Sequence, residues 1–140
     1  KTLDGFDIVP TVPVVIGDDL EKCADMVRAY TALYVGGMGS RKQNFYNALA
    51  RRMGFEDAAQ KIQDLYLDKK QAEAAAAVPF ELVDQTSLIG PKERIAERLH
   101  AYADAGVTTL AIATFGSTHD ERADVLRTVS DALDASGLGS

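Results

Sequence analysis

The chain has 140 residues, 46% of them hydrophobic and 26% charged, with a formal net charge of −6. That length fits one ordinary domain, the composition excludes a disordered or collagen-like chain, and the acidic balance argues against nucleic acid as a partner. No apolar run approaches the roughly 18 residues of a membrane-spanning helix. The lone Cys23 excludes an internal disulfide and fits a reducing, cytoplasmic setting. Lys1-Thr2-Leu3-Asp4-Gly5 is not the apolar core of a secretory leader, and a chain opening on lysine rather than methionine suggests removal of something upstream.

The first strand is expected within Phe6–Gly17, with Pro10 and Pro13 marking an edge or lead-in and Val12–Ile16 its core. Asp18 with Glu21 forms a capping box for a helix whose buried face is Leu20, Cys23, Ala24, Val27, Tyr30, Thr31 and Tyr34. Gly36-Gly37-Met38-Gly39-Ser40 is expected to break that helix. Ser40 with Gln43 is a second capping box, for a helix running to Met53 and stopped by Gly54. A helix opening at Asp57 carries Ala58, Ile62, Leu65 and Tyr66, and Lys69–Ala77 is alanine-rich helix ended by Pro79. Phe80–Val83 is a short strand or an extended connector.

Leu88–Gly116 reads as one helix delivered into one strand. Gly90 caps, Pro91 occupies the first helical position, Ile95, Leu99, Tyr102 and Ala103 form an apolar stripe, and Gly106 stops the helix. Val107–Ala113 follows as a strand apolar on both faces, as in a parallel α/β sheet. The last helix starts at Thr118 or His119, buries Val125, Leu126, Val129 and Leu133, and leaves Gly137–Ser140 as a frayed tail. Two convincing strands far apart in sequence leave unpaired edges on both sides. They are expected to belong to a larger sheet or barrel whose other strands lie upstream or in a partner chain, so a homo-oligomer or completion by the missing half is expected.

The residues Leu88-Ile89-Gly90-Pro91-Lys92-Glu93-Arg94-Ile95, then Tyr102-Ala103-Asp104-Ala105-Gly106-Val107 and an apolar strand, resemble the C-terminal part of luciferase-like flavin- or deazaflavin-dependent oxidoreductases. Tyr34-Val35-Gly36-Gly37-Met38-Gly39-Ser40 followed by Asn44-Phe45-Tyr46 is similar to the subgroup using the 8-hydroxy-5-deazaflavin coenzyme, F-420; FMN is the alternative. The resemblance covers essentially the whole chain. It implies the α/β class and the C-terminal portion of a (β/α)₈ barrel, with Val12–Ile16 as its seventh strand and Val107–Ala113 as its eighth. A helical insertion at about residues 40–78 would lie between them. The first six strands would be absent, and with them most catalytic and ring-binding groups, so this chain alone would be inactive. The intact enzyme would pass a hydride between coenzyme and an organic substrate. The rival reading is a non-enzymatic helical interaction module completed by a partner subunit.

Barrel sites lie at the C-terminal ends of strands, which selects Gly17-Asp18 and Thr114-Phe115-Gly116. Thr114, Phe115 and Gly116 are therefore coenzyme candidates, with Phe115 either lining a ring pocket or packing under the last helix. Gly37, Gly39, Ser40 and Arg41 are candidates for holding a coenzyme anion, set against a helix–helix turn that simply needs glycine. Met38, Asn44 and Tyr46 are substrate candidates, whereas Phe45 pairs with Leu49 at helical spacing. His100 and His119 lack clustered partners, so no metal site is expected, and His119 reads as a solvated helix start, set against a group that approaches a coenzyme tail from the eighth strand's exit. Cys23 reads as a small buried hydrophobe.

Overall fold

A computed structural model describes residues 2–139; Lys1 and Ser140, which entered the readings of the opening and the tail, lie outside the described residues. In chain order the elements are β1 (Thr11–Ile16), α1 (Leu20–Ala32), a π-helical turn (Leu33–Gly37), α2 (Phe45–Arg52), α3 (Glu56–Leu67), α4 (Gln71–Ala76), α5 (Phe80–Thr86), β2 (Leu88–Gly90), α6 (Lys92–Asp104), β3 (Ala111–Thr114) and α7 (His119–Ser136). They fall into two compact units, one of residues 2–23 with 87–139 and one of Ala24–Thr86.

The first unit carries a parallel sheet of order β2-β1-β3. The strands are stepped. β3 accompanies β1 from Thr11↔Ala111 to Val14↔Thr114, and β2 begins only at Val14↔Leu88 and ends at Ile16↔Gly90. Pro13 thus sits inside the middle strand rather than in a lead-in, at a level where only β3 flanks it and one side of the backbone needs no ladder donor. Val12, Val14 and Leu88 face Ile95 and Leu99 of α6 and Ala132 of α7 in one apolar core. Val15 and Ile89, which alternate to the other face, are also buried.

The expected strand at Val107–Ala113 starts late. Residues 107–110 are an irregular lead-in, held by the Thr108 hydroxyl accepting from Ile8 N–H at 3.0 Å and by Thr108 N–H donating to Ile8 O at 3.1 Å. A third strand, β2, lies where only a helix start was expected, and it moves Pro91 from first helical residue to N-cap of α6. Gly106, at φ 87°, follows the α6 C-cap as anticipated. Asp19 rather than Asp18 caps α1, accepting from Lys22 N–H at 3.1 Å. The capping box at α7 is formed by Thr118 and Glu121. Along α7, Val125 and Val129 pack on the core and Ala132 is buried, whereas Leu126 and Leu133, expected inside, are exposed. Gly137, in the left-handed conformation, ends α7.

The second unit is helical. Gly36 and Gly37 do not break the helix; it widens into the π turn and ends after Gly37. Ser40 and Gln43 form a turn of their own, with Gln43 N–H donating to the Ser40 hydroxyl at 3.1 Å. The next helix therefore begins later, capped by Asn44, whose side chain accepts from Asn47 N–H at 3.0 Å. Phe80–Val83, expected as extended chain, is the first half of α5. Pro79 loses no helical donor ahead of that helix, its carbonyl accepts from Val83 N–H at 3.4 Å, and Leu82 and Val83 are buried.

Candidate functional site

Parallel strands put their C-terminal ends on one edge of the sheet. Gly17 follows β1, Gly90 closes β2, and Phe115 and Gly116 follow β3. Gly17 N–H donates to Gly90 O at 3.1 Å, tying two of these ends together. A helix starts just beyond each: α1 behind Asp19, α6 behind Pro91 and α7 behind Thr118. Cys23 is buried behind Gly17, and burial pushes its thiol pKa up.

Thr114 is the last residue of β3, opposite Val14, and Phe115 and Gly116 are half-buried beyond it. A Cβ on Gly116 would fall 2.8 Å from Glu121 Cβ and 3.0 Å from Arg122 N, so this position seats the strand exit on the first turn of α7. That turn is already supplied with negative charge. The Glu121 carboxylate accepts from Ser117 N–H at 2.6 Å and Thr118 N–H at 3.1 Å. His119 is exposed at the start of α7 and His100 is exposed on α6. Among the described residues no three His, Cys, Asp or Glu side chains are grouped as a metal ion requires.

The glycine-rich candidates lie in the helical unit. A Cβ on Gly37 would fall 2.4 Å from Tyr66 Cε1. Gly39 has φ 154°, and a Cβ there would fall 2.1 Å from Gln43 O, so the turn admits only glycine. The Ser40 hydroxyl is used by Gln43, and Arg41 pairs with Asp64 and, at 3.3 Å, with Asp68. Tyr66 and Gln43 O thus occupy the space beside Gly37 and Gly39, and the half-exposed Arg41 lies between two surface carboxylates. The turn packs helices.

Of the substrate candidates, Asn44 is buried and spends its amide on Tyr34 O and Val35 O, each at 3.1 Å. Tyr46 sets its ring edge-on to Tyr34, with centroids 4.8 Å apart. Met38 is exposed at the end of the π turn. The polar centre of this unit is Asn47, which the sequence reading passed over. Its amide donates to Val35 O at 3.0 Å and Ala59 O at 2.8 Å, and its oxygen accepts from Arg51 Nε at 2.8 Å. An asparagine on the same helical face as Ala50 was the available signal.

No helix among the described residues is long and apolar enough to cross a membrane. The luciferase-like monooxygenase family matches residues 1–109. A Mycobacterium tuberculosis protein named "Putative coenzyme F420-dependent oxidoreductase Rv3520c" is 32% identical over 122 residues, which are 87% of this chain and 35% of that protein. The chain thus spans about a third of the curated relative it matches. No solved structure matches. The parallel α/β sheet with helices starting at its C-terminal edge agrees with the sequence match, and the chain belongs to the luciferase-like monooxygenase family.

Proposed function

We propose that this chain is the C-terminal portion of a (β/α)₈ barrel, and that the helical unit is an insertion between the barrel's last strands. The intact protein is then an oxidoreductase passing a hydride between a deazaflavin and an organic substrate. The observation that carries the reading is the parallel pairing of β1 with β3, side by side as the barrel's seventh and eighth strands would be; β2 lies on the other side of β1, and among the described residues β2 and β3 each have one in-sheet neighbour. A stagger between parallel strands is what closing a barrel requires, and an open outer edge is a place where a further strand can pair. Family membership and the name of the mycobacterial relative support oxidoreductase chemistry and the choice of deazaflavin over FMN.

The coenzyme's own chemistry is hydride carriage; the protein orients its ring and excludes water. In this chain the strand edge at Thr114, Phe115 and Gly116 is the part we assign to the coenzyme's surroundings, and Met38 the part we assign to substrate. Most of the groups that grip the coenzyme are assigned to the other strands, as the family resemblance implies. The test pairs this chain with the longer protein that contains it, each titrated with deazaflavin and with FMN by fluorescence. The longer protein should bind deazaflavin and turn it over with an organic substrate, and this chain alone should bind neither coenzyme below the micromolar range. Preference of the longer protein for FMN would overturn the cofactor assignment. Sub-micromolar binding by this chain alone would overturn the division of the site.

A further inference from the structure

The strand exits are secured in different ways. Gly17, after β1, is tied to Gly90 O at the end of β2, and α1 behind it is capped by Asp19. Pro91, after β2, caps α6 without a side-chain bond. The exit of β3 is held by a side chain of the helix that follows it. In an ordinary capping box the acidic side chain at the third helical residue reaches back to the N-cap N–H alone. Glu121 does this at Thr118, at 3.1 Å, and the same carboxylate oxygen also accepts from Ser117 N–H at 2.6 Å. Ser117 N–H lies outside α7, so the shorter bond serves the loop and not the helix end.

The loop is fixed at both ends. Gly116 is seated on the same turn of α7, where a Cβ would fall 2.8 Å from Glu121 Cβ and 3.0 Å from Arg122 N. That helix is anchored in turn, because Val125 and Val129 pack on the core and Ala132 is buried in it. On the strand side Thr114 is in register with Val14. Phe115 is the one residue between a paired strand position and a seated glycine, and its side chain is half-buried there.

We infer that Glu121 is a positioning residue for the coenzyme: its carboxylate holds the β3 exit so that Phe115 stands at the strand edge in one arrangement. A carboxylate accepting two backbone N–H groups makes charge-assisted bonds, which are stronger than neutral ones. A group held ready before binding spares the ligand the cost of ordering it. Glu121 acts through Phe115 and has no contact of its own with the coenzyme in this scheme. The inference rests on the assignment of Thr114, Phe115 and Gly116 to the coenzyme's surroundings.

The longer protein that contains this chain tests it, titrated by fluorescence with deazaflavin and with FMN. The variants are Glu121→Gln, Glu121→Asp, Glu121→Ala and Phe115→Ala, each checked for folding by circular dichroism. Glutamine keeps the reach and an acceptor oxygen, whereas aspartate keeps the charge on an arm one methylene shorter. For whichever coenzyme the wild type binds, Glu121→Gln should bind within about threefold of it. Glu121→Asp and Glu121→Ala should bind more than about tenfold more weakly, and the Gln and Asp variants decide where the Ala variant does not fold. Aspartate binding like wild type, with glutamine as weak as alanine, would assign the effect to charge at the helix start and overturn the inference. Unchanged affinity in Glu121→Asp and Glu121→Ala beside weak binding by Phe115→Ala would overturn it and leave the coenzyme assignment standing. Unchanged affinity in Phe115→Ala as well, or a wild type that binds neither coenzyme, would overturn that assignment and the inference with it.

Discussion

Gly36 lies so close to Tyr66 that a Cβ on the glycine would fall 2.5 Å from the Tyr66 Cβ and 3.1 Å from Ile62 O. Real side chains do not approach that far, so this contact sets the spacing between the π turn and α3. The widening of the helix at Leu33–Gly37 and the paired glycines at its end belong together: one brings the backbone round, the other lets it close on the Tyr66 ring.

Gly36→Ala should therefore destabilise the chain by about 1–3 kcal/mol, the usual cost of overpacking a tight contact. Elsewhere in helices the same change is mildly favourable. Urea melts give the value, and the double variant with Tyr66→Ala should lose less than the two single losses added together. An unchanged midpoint for Gly36→Ala would mean that α3 retreats at no cost.

Asn47→Ala should cost more than an ordinary surface change. It strips Val35 O of one of its two side-chain donors, leaving Asn44, Ala59 O of its side-chain donor and Arg51 Nε of its acceptor, with the side chain buried. Each group left without a partner is worth about 1–3 kcal/mol, reduced where water can enter. Asn47→Asp keeps the shape and the acceptor but loses both donations, so it should be at least as harmful as alanine. Thermal melts of the two variants rank them, and an Asp variant as stable as wild type would refute the assignment of donors.

Much of this was readable from sequence where local chemistry decides. Thr118 with Glu121, Gly106 after α6 and the apolar run at Val12–Ile16 each announce one conformation. The misreadings came where tertiary packing chooses between local options. Phe80–Val83 has strand-forming side chains but lies in a helix, because Pro79 can head a helix and Leu82 and Val83 find a core there. Leu88–Gly90 is only three residues long, too short to show a period, and is a strand because Val14–Ile16 lies alongside. The candidate site was legible as strand ends but not as chemistry. Arg41 looks available in sequence, and only the fold brings Asp64 and Asp68 to it.

Asp64 gives a pH dependence with a definite sign. The Gln60 amide, donating at 2.9 Å, and then Arg41 hold its carboxyl below the usual carboxylate range. A folded pKa below the unfolded one stabilises the chain above the unfolded value, and that stabilisation is lost as pH falls through the folded value. Asp64→Asn should therefore flatten part of the acid-side fall in melting temperature. Because the group is exposed, the difference should shrink in high salt. Parallel acid limbs for wild type and variant at low salt would refute it.

Ser87 offers the opposite kind of change. It is fully buried just before β2, and its hydroxyl has no hydrogen-bond partner among the described residues. A buried donor without a partner costs about 1–3 kcal/mol, so Ser87→Ala should be neutral or stabilising by up to about 1 kcal/mol once the small lost volume is allowed for. A clear loss in a urea melt would show that the hydroxyl has a partner.

Tyr30, like the more deeply buried Tyr102, should ionise late. Burial, and then a hydrogen bond with Tyr34, push its pKa from 10.0 up to about 12. Below pH 10 the phenol is neutral in both folded and unfolded chains, so stability there does not depend on it. Between 10 and 12 the unfolded chain loses this proton first, and stability falls as pH rises through the folded value. Tyr30→Phe removes that dependence. The difference between the ultraviolet titration curves of wild type and variant should show one tyrosinate appearing near pH 12, and the variant's melting temperature should fall less steeply above pH 10. A difference curve centred at the ordinary tyrosine value would mean that the Tyr30 hydroxyl meets water freely and that its contact with Tyr34 is not maintained in solution.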